Sequence, residues 1–249
     1  MSDLSKLISI VKQLRAPDGC DWDKEQTKDS LIPYFIEEMY EVIEAIEGND
    51  TSALKEELGD LLLHIVFQAE ILSENQNYQI KDSIKNICEK LIARHPHIFD
   101  NSNDKSYESG NWEKTKKKEK NRDSVLDGVP KAMPALLRAR RIQEKAAGVG
   151  FDWKEKKQVL NKIDEEIAEL KEAIINNKGI DEELGDVLFT VVNLSRHLEL
   201  DPESSLKSSI NKFSKRFKKI EKELDQKDID MKNLTLEELD NIWEKNKKN

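Results

Sequence analysis

One pattern of acids occurs twice in this chain, and it restricts the fold more than any other feature. Residues 37–41 read Glu-Glu-Met-Tyr-Glu and are followed by Glu57-Leu58-Gly59-Asp60; residues 165–169 read Glu-Glu-Ile-Ala-Glu and are followed by Glu183-Leu184-Gly185-Asp186. Each copy is an EExxE run with an ExxD run behind it. The flanking sequence repeats in the same order. Asp21-Trp22 matches Asp152-Trp153, and Glu44-Ala45-Ile46 matches Glu172-Ala173-Ile174. Lys90 and Arg94 match Lys212 and Arg216, and Trp112-Glu113-Lys114 matches Trp243-Glu244-Lys245. A period of about half the chain predicts two tandem copies of one domain rather than a solenoid. The boundaries are expected at 1–122 and 123–249, with the linker at Asp123–Pro134, where Gly128, Pro130 and Pro134 cluster.

Apolar residues recur at helical spacing, and no run alternates long enough to propose a sheet, so the expected fold class is all-α, built as tandem helical bundles. With 9 glycines and 6 prolines the chain is too poor in turn residues for a β protein. Helices are expected over Leu4–Leu14, Ser30–Glu47, Leu54–Leu72, Ile80–Arg94, Leu160–Asn176, Asp181–Leu198, Pro202–Leu224 and Leu236–Lys245. Ala135–Ala147 reads as a connecting helix, and Thr51 or Ser52 as the cap of the Leu54–Leu72 helix. Residues 100–111 read as a mobile loop and 114–120 as a basic, solvated stretch.

On a helical wheel Phe35, Met39, Val42, Ile43 and Ile46 form one apolar stripe, and Glu38 and Glu41 fall together on its flank. On the next helix Leu54, Leu58, Leu61, Leu62 and Ile65 form the stripe, with Glu57 and Asp60 on the flank of the same sense. The second copy repeats this with Glu166, Glu169, Glu183 and Asp186. A short loop makes consecutive helices antiparallel. Two antiparallel helices that face each other through such stripes bring same-sense flanks to one side, so each set of four carboxylates is expected to converge. Oxygen-only ligation favours Mg²⁺, or Mn²⁺, over zinc, and such a site suits phosphate chemistry. Gly59 and Gly185, inside the two ExxD runs, suggest close approach of a backbone or a ligand.

Composition removes several alternatives. A net charge of −9 excludes a nucleic-acid-coating role, though not a nucleotide substrate, because a bound metal inverts the local field. Two cysteines, Cys20 and Cys88, offer no disulfide framework and fit a cytoplasmic protein. No segment is apolar enough to span a membrane. No His follows a Glu at the Glu-x-x-His spacing of a di-iron bundle, and no glycine-rich phosphate loop occurs. Two rival readings carry the same acids: a non-catalytic helical interaction module, and a regulatory protein that binds nucleotides without cutting them.

The chain resembles the MazG family of nucleoside triphosphate pyrophosphohydrolases in its two-domain bacterial form. The resemblance spans nearly the whole sequence. Besides the paired acidic runs it rests on residues 20–27, on 94–99 (Arg-His-Pro-His-Ile-Phe), on 149–153 (Val-Gly-Phe-Asp-Trp) and on 193–197 (Asn-Leu-Ser-Arg-His). It implies an all-α fold that forms homodimers and cuts an NTP or dNTP between the α and β phosphates, in the service of nucleotide-pool housecleaning. Carried over, Glu166, Glu169, Glu183 and Asp186 hold Mg²⁺, with Glu166 or Glu169 open as general base. Lys212 and Arg216 contact the triphosphate, Trp243 lies near the base, and Lys162 and Lys247 assist at the phosphates. Lys90 and Arg94 are the counterparts in the first unit, beside Glu38, Glu41, Glu57 and Asp60. The second unit is the expected catalyst, because Lys162 has only Tyr34 as its counterpart in the first.

Overall fold

The computed structural model describes residues 3–99 and 123–247, and these form helices and turns with no strand among them. The chain divides into two compact units, Met1–Lys105 and Ser106–Asn249. Trp112-Glu113-Lys114, the 100–111 loop and the 114–120 stretch lie outside the described residues.

The first unit contains α1 (Asp3–Leu14), α2 (Asp21–Glu25), α3 (Ile32–Glu47), α4 (Thr51–Asn75), α5 (Ile80–Arg94) and α6 (Pro96–Phe99). Pro33, in the first turn of α3, gives up an N–H that a helix start cannot use. The reversal from α3 to α4 takes three residues. Asn49 adopts φ 53°, and Asp50 caps α4, its Oδ1 accepting the N–H of Ser52 at 2.9 Å and of Ala53 at 3.0 Å. The cap is therefore Asp50, not Thr51 or Ser52, both of which lie inside the helix. The carboxylate also meets the positive end of the helix dipole. Helix α1 packs on α4 over a core of Val11, Leu31, Val66, Phe67 and Ile71. Arg15, just past α1, ties the α1–α2 turn to the far end of α4. Its Nε and Nη2 donate to the Glu74 carboxylate at 2.5 and 2.9 Å, its Nη1 to the carbonyls of Asp23 and Gln26, and its guanidinium lies over the Phe67 ring.

The second unit contains α7 (Ala135–Ala147), α8 (Lys156–Asn176), α9 (Ile180–His197), α10 (Pro202–Asp225), a 3-10 turn (Met231–Asn233) and α11 (Leu236–Lys247). Helix α7, expected as a connector, is instead an integral helix of this unit. It packs on α9 as α1 packs on α4, and on α10 as well. Gln143 donates to the Phe189 carbonyl at 2.8 Å, and the buried Lys145 donates to the Val125 carbonyl at 2.8 Å. The turns at 123–134 are thereby folded onto this unit. Asn177 (φ 50°) and Gly179 (φ 73°) reverse the chain between α8 and α9, which makes these two helices antiparallel, like α3 and α4. Val159, Ala173, Val192, Ile220 and Leu224 are buried here.

The apolar stripes depart from expectation in one respect. Met39, Ile46, Leu58, Leu62 and Ile65 in the first unit, and Ile167, Ile174, Leu188 and Val191 in the second, are exposed. Phe35, Val42, Ile43, Leu54 and Leu61, on the same stripes of the first unit, are half-buried. The periodicity identifies an apolar face, but it cannot say whether the same chain covers it.

Candidate active site

Helices α3 and α4 bring Glu38, Glu41 and Glu57 together, with one oxygen from each within 4.8 Å of the others; α8 and α9 do the same for Glu166, Glu183 and Asp186. Both groups straddle an antiparallel helix pair, as the shared flank of the stripes required. Three of each four acids meet at this distance; Asp60 and Glu169 stand outside the close groups. Asp60 still acts on Glu38, and Glu166 acts on Glu169. The Glu38 carboxyl is pushed above its usual range by burial first, then by Glu41, Asp60 and Glu57. Glu57 is raised by burial, Glu41, Glu56 and Asp60. Glu169 is raised by partial desolvation and by Glu166, against the pull of Lys162. A compact set of hard oxygen donors under mutual repulsion is the donor chemistry of a divalent hard cation. Among the described residues no atom beyond their own helix lies within 4 Å of where a side chain would begin at Gly59 and Gly185, so no neighbouring backbone is seen to approach them.

The two groups are balanced differently. In the second unit Lys162 places its Nζ 2.8 Å from Glu166 and 2.8 Å from Glu165, and these carboxylates raise the lysine's proton affinity. Lys162 is thus paired with one acid of the close group, Glu166, and with Glu165 outside it. In the first unit Tyr34 takes its place, its ring edge-on to Trp22 at 6.1 Å. The neighbour of Glu38 there is His64, with Nε2 3.8 Å from Oε1, and burial holds that imidazole below its usual range. The matching position in the second unit is Thr190, which is buried.

Of the expected substrate contacts, Lys212, Arg216 and Lys247 come together in one groove. Lys212, Lys215, Arg216 and Lys219 line it from α10, and Asn246 and Lys247 from α11. The ends of these helices are held together by Glu223. Lys227 and Lys245 pull its carboxyl down to about 2, and Asn246 adds a bond. Trp243 packs against Phe213 at 5.0 Å, and the Arg216 guanidinium lies 5.8 Å above the Trp243 ring. A charge over an aromatic face is favourable by about 0.5–1 kcal/mol when exposed. In the first unit Lys90 and Arg94 sit one turn apart on α5. Trp112, the counterpart of Trp243, lies outside the described residues.

Comparison with known proteins matches the MazG nucleotide pyrophosphohydrolase domain twice, at residues 26–99 and 154–221. These two spans hold both acidic groups and account for more than half of the chain. The chain belongs to the MazG family. A nucleoside triphosphate pyrophosphohydrolase/pyrophosphatase MazG of Thermotoga maritima is 48% identical over 97% of this chain and 94% of its own length. The nucleoside triphosphate pyrophosphohydrolase of Escherichia coli K12 is 39% identical over 100% of this chain and 98% of its own. That of Mycobacterium tuberculosis is 36% identical over 58% of this chain and 45% of its own.

The MazG fold also contains a network that spacing did not reveal. Asp152 accepts from Arg196 Nη1 at 2.9 Å and Nη2 at 2.5 Å, and its Oδ1 lies 3.1 Å from His197 Nε2. Arg196 also donates to the Asn193 side chain. The pair joins the segment before α8 to the last turn of α9, 44 residues away. The signal was present in the residue types: an Asp-Trp pair and an Arg-His pair, both inside runs noted as family-like. Burial alone would raise the Asp152 carboxyl, but Arg196 and His197 outweigh it and leave it below 3.8. A depressed carboxyl stabilises the folded state fully above its unfolded value and loses that contribution as pH falls toward its folded value. Asp152→Asn should therefore cost about 1–2 kcal/mol at neutral pH. The gap to the wild type should close as pH drops below 3.8, as read by urea unfolding across pH.

Proposed function

We propose that this MazG protein hydrolyses nucleoside triphosphates, NTP or dNTP, between the α and β phosphates, releasing the nucleoside monophosphate and pyrophosphate, and that the second unit carries the reaction. The observation that supports it most is the meeting of Glu166, Glu183 and Asp186 within 4.8 Å on an antiparallel helix pair. Those carboxylates, with Glu169 beside them, would hold Mg²⁺ (or Mn²⁺). Bound there, the ion would supply charge neutralisation at the phosphates and an acidified water. The chain's own side chains do the rest. Lys212, Arg216 and Lys247 draw the polyphosphate by charge. Arg216, the planar member, stabilises charge developing on the departing pyrophosphate. Trp243 offers a face on which any base stacks, which suits broad use and a housecleaning role in the nucleotide pool. Glu166 or Glu169 remains the candidate for accepting the water's proton. In the first unit Glu38, Glu41, Glu57 and Asp60, with Lys90 and Arg94, form the parallel set.

The experiment is incubation with Mg²⁺ and each NTP and dNTP, following phosphate products. Monophosphate with pyrophosphate is the expected pair. Orthophosphate with a diphosphate would refute the bond assignment, and binding without turnover would return the protein to the regulatory class.

The assembly we infer is a homodimer. The exposed rows Leu58, Leu62, Ile65 and Leu184, Leu188, Val191 lie on α4 and α9 and border both acidic groups. Apolar faces of this extent are unusual on a monomer. Light scattering should give the mass of two 28.8 kDa chains, and a single-chain mass would end this inference. Among the described residues no helix is long and apolar enough to cross a membrane, and both cysteines are free and exposed, which supports a cytoplasmic location.

A further inference from the structure

We infer that Lys162 is a built-in counter-ion of Glu166 that competes with a metal for this carboxylate in the second unit. This rests on the assignment of Glu166, Glu183 and Asp186 as metal ligands. Glu166 is the most deeply placed acid of its group, its side chain 7% exposed, and Lys162 meets it at 2.8 Å. A carboxylate so buried, within 4.8 Å of two others, needs a positive partner to remain ordered. Lys162 supplies it from one helical turn away. The same ammonium also contacts Glu165 at 2.8 Å, and Glu165 is 56% exposed and outside the close group. Lys162 therefore has a second partner waiting. It can release Glu166 without being left bare, and a triphosphate drawn to the site offers it a third. Its side chain is 31% exposed and free to swing on its four-carbon stem. The device is specific to this unit, because Tyr34 in the first cannot play the part.

Two consequences follow from mass action. Metal alone binds the second unit more weakly than the donor set would allow, because it must displace an ammonium. Nucleotide relieves that competition, so metal and nucleotide assist each other's binding. The test uses Mn²⁺ alone, without nucleotide, on the full chain carrying Glu38→Gln and Glu57→Gln, so that the second group reports by itself. Bound Mn²⁺ is read by electron paramagnetic resonance. Lys162→Met, which keeps the helix former and the length while removing the charge, should bind Mn²⁺ about three- to tenfold more tightly. Lys162→Arg should keep the weak affinity. Helicity measured on each variant separates these effects from misfolding. An affinity that stays the same or weakens in Lys162→Met overturns the counter-ion role, while the metal site itself stands so long as Glu166→Gln removes the Mn²⁺. Binding that persists undiminished in both Glu166→Gln and Asp186→Asn overturns the site and the counter-ion role together.

Discussion

Glu166→Gln and Asp186→Asn should each stop pyrophosphate release while the helical circular dichroism stays at wild-type level. Both changes keep side-chain volume and remove one anionic oxygen donor from a group held within 4.8 Å. Losing a ligand to a catalytic cation removes several kcal/mol of charge stabilisation, a fall in kcat on the order of a thousandfold. The fold should tolerate the changes. Asp186 is exposed, and at Glu166 the departing charge leaves Lys162 with Glu165, so no buried cation is stranded. Glu38→Gln and Asp60→Asn in the first unit should leave most of the turnover in place, because that unit offers Tyr34 where the second offers Lys162. Steady-state pyrophosphate release on the four variants checks this. Full activity in both second-unit variants would dismiss the metal assignment, and a loss confined to the first-unit pair would move the chemistry there.

The next largest effect is expected at Arg216. Arg216→Ala should lower kcat/KM for an NTP by about a hundredfold, and Arg216→Lys should recover only part of it. The guanidinium rests over Trp243 at 5.8 Å, in a groove shared with Lys212 and Lys247. A lysine would keep the charge and lose both the planar fork and the stacking geometry. Steady-state kinetics on the two variants decide this. Equal rates for Arg216→Lys and wild type would mean that only the charge matters, and an unaffected Arg216→Ala would remove the groove from the reaction.

Much of this site was legible because helical side-chain geometry is local. Glu38 and Glu41, or Glu57 and Asp60, share a flank through a 100° step that needs no tertiary information. The three-residue reversals at 48–50 and 177–179 then require antiparallel neighbours. The cap of α4 was less accessible. Asp50, Thr51 and Ser52 can all cap a helix, and only the extended backbone at Asp50 (φ −87°, ψ 96°) selects among them. The pairing of Lys162 with Glu165 and Glu166, three and four residues on, was open in the spacing, but residue type does not say which anion a cation faces. His64 lies one turn beyond Asp60 on α4 and reaches the neighbourhood of Glu38, a contact between two helices that spacing within one helix does not show.

Residue order alone determined the duplicated all-helical plan, the helix pairs and the placing of acids at their shared edges, because each depends on periodicity and short loops within a few turns of chain. Tertiary packing alone decided which three of each four carboxylates meet, that Lys162 rather than solvent neutralises Glu166, that Asp152 is clamped by Arg196, and that the apolar rows of α4 and α9 lie open. Those outcomes depend on angles and separations between segments distant in sequence, and on which atoms are shut away from water, quantities that a one-dimensional pattern does not contain.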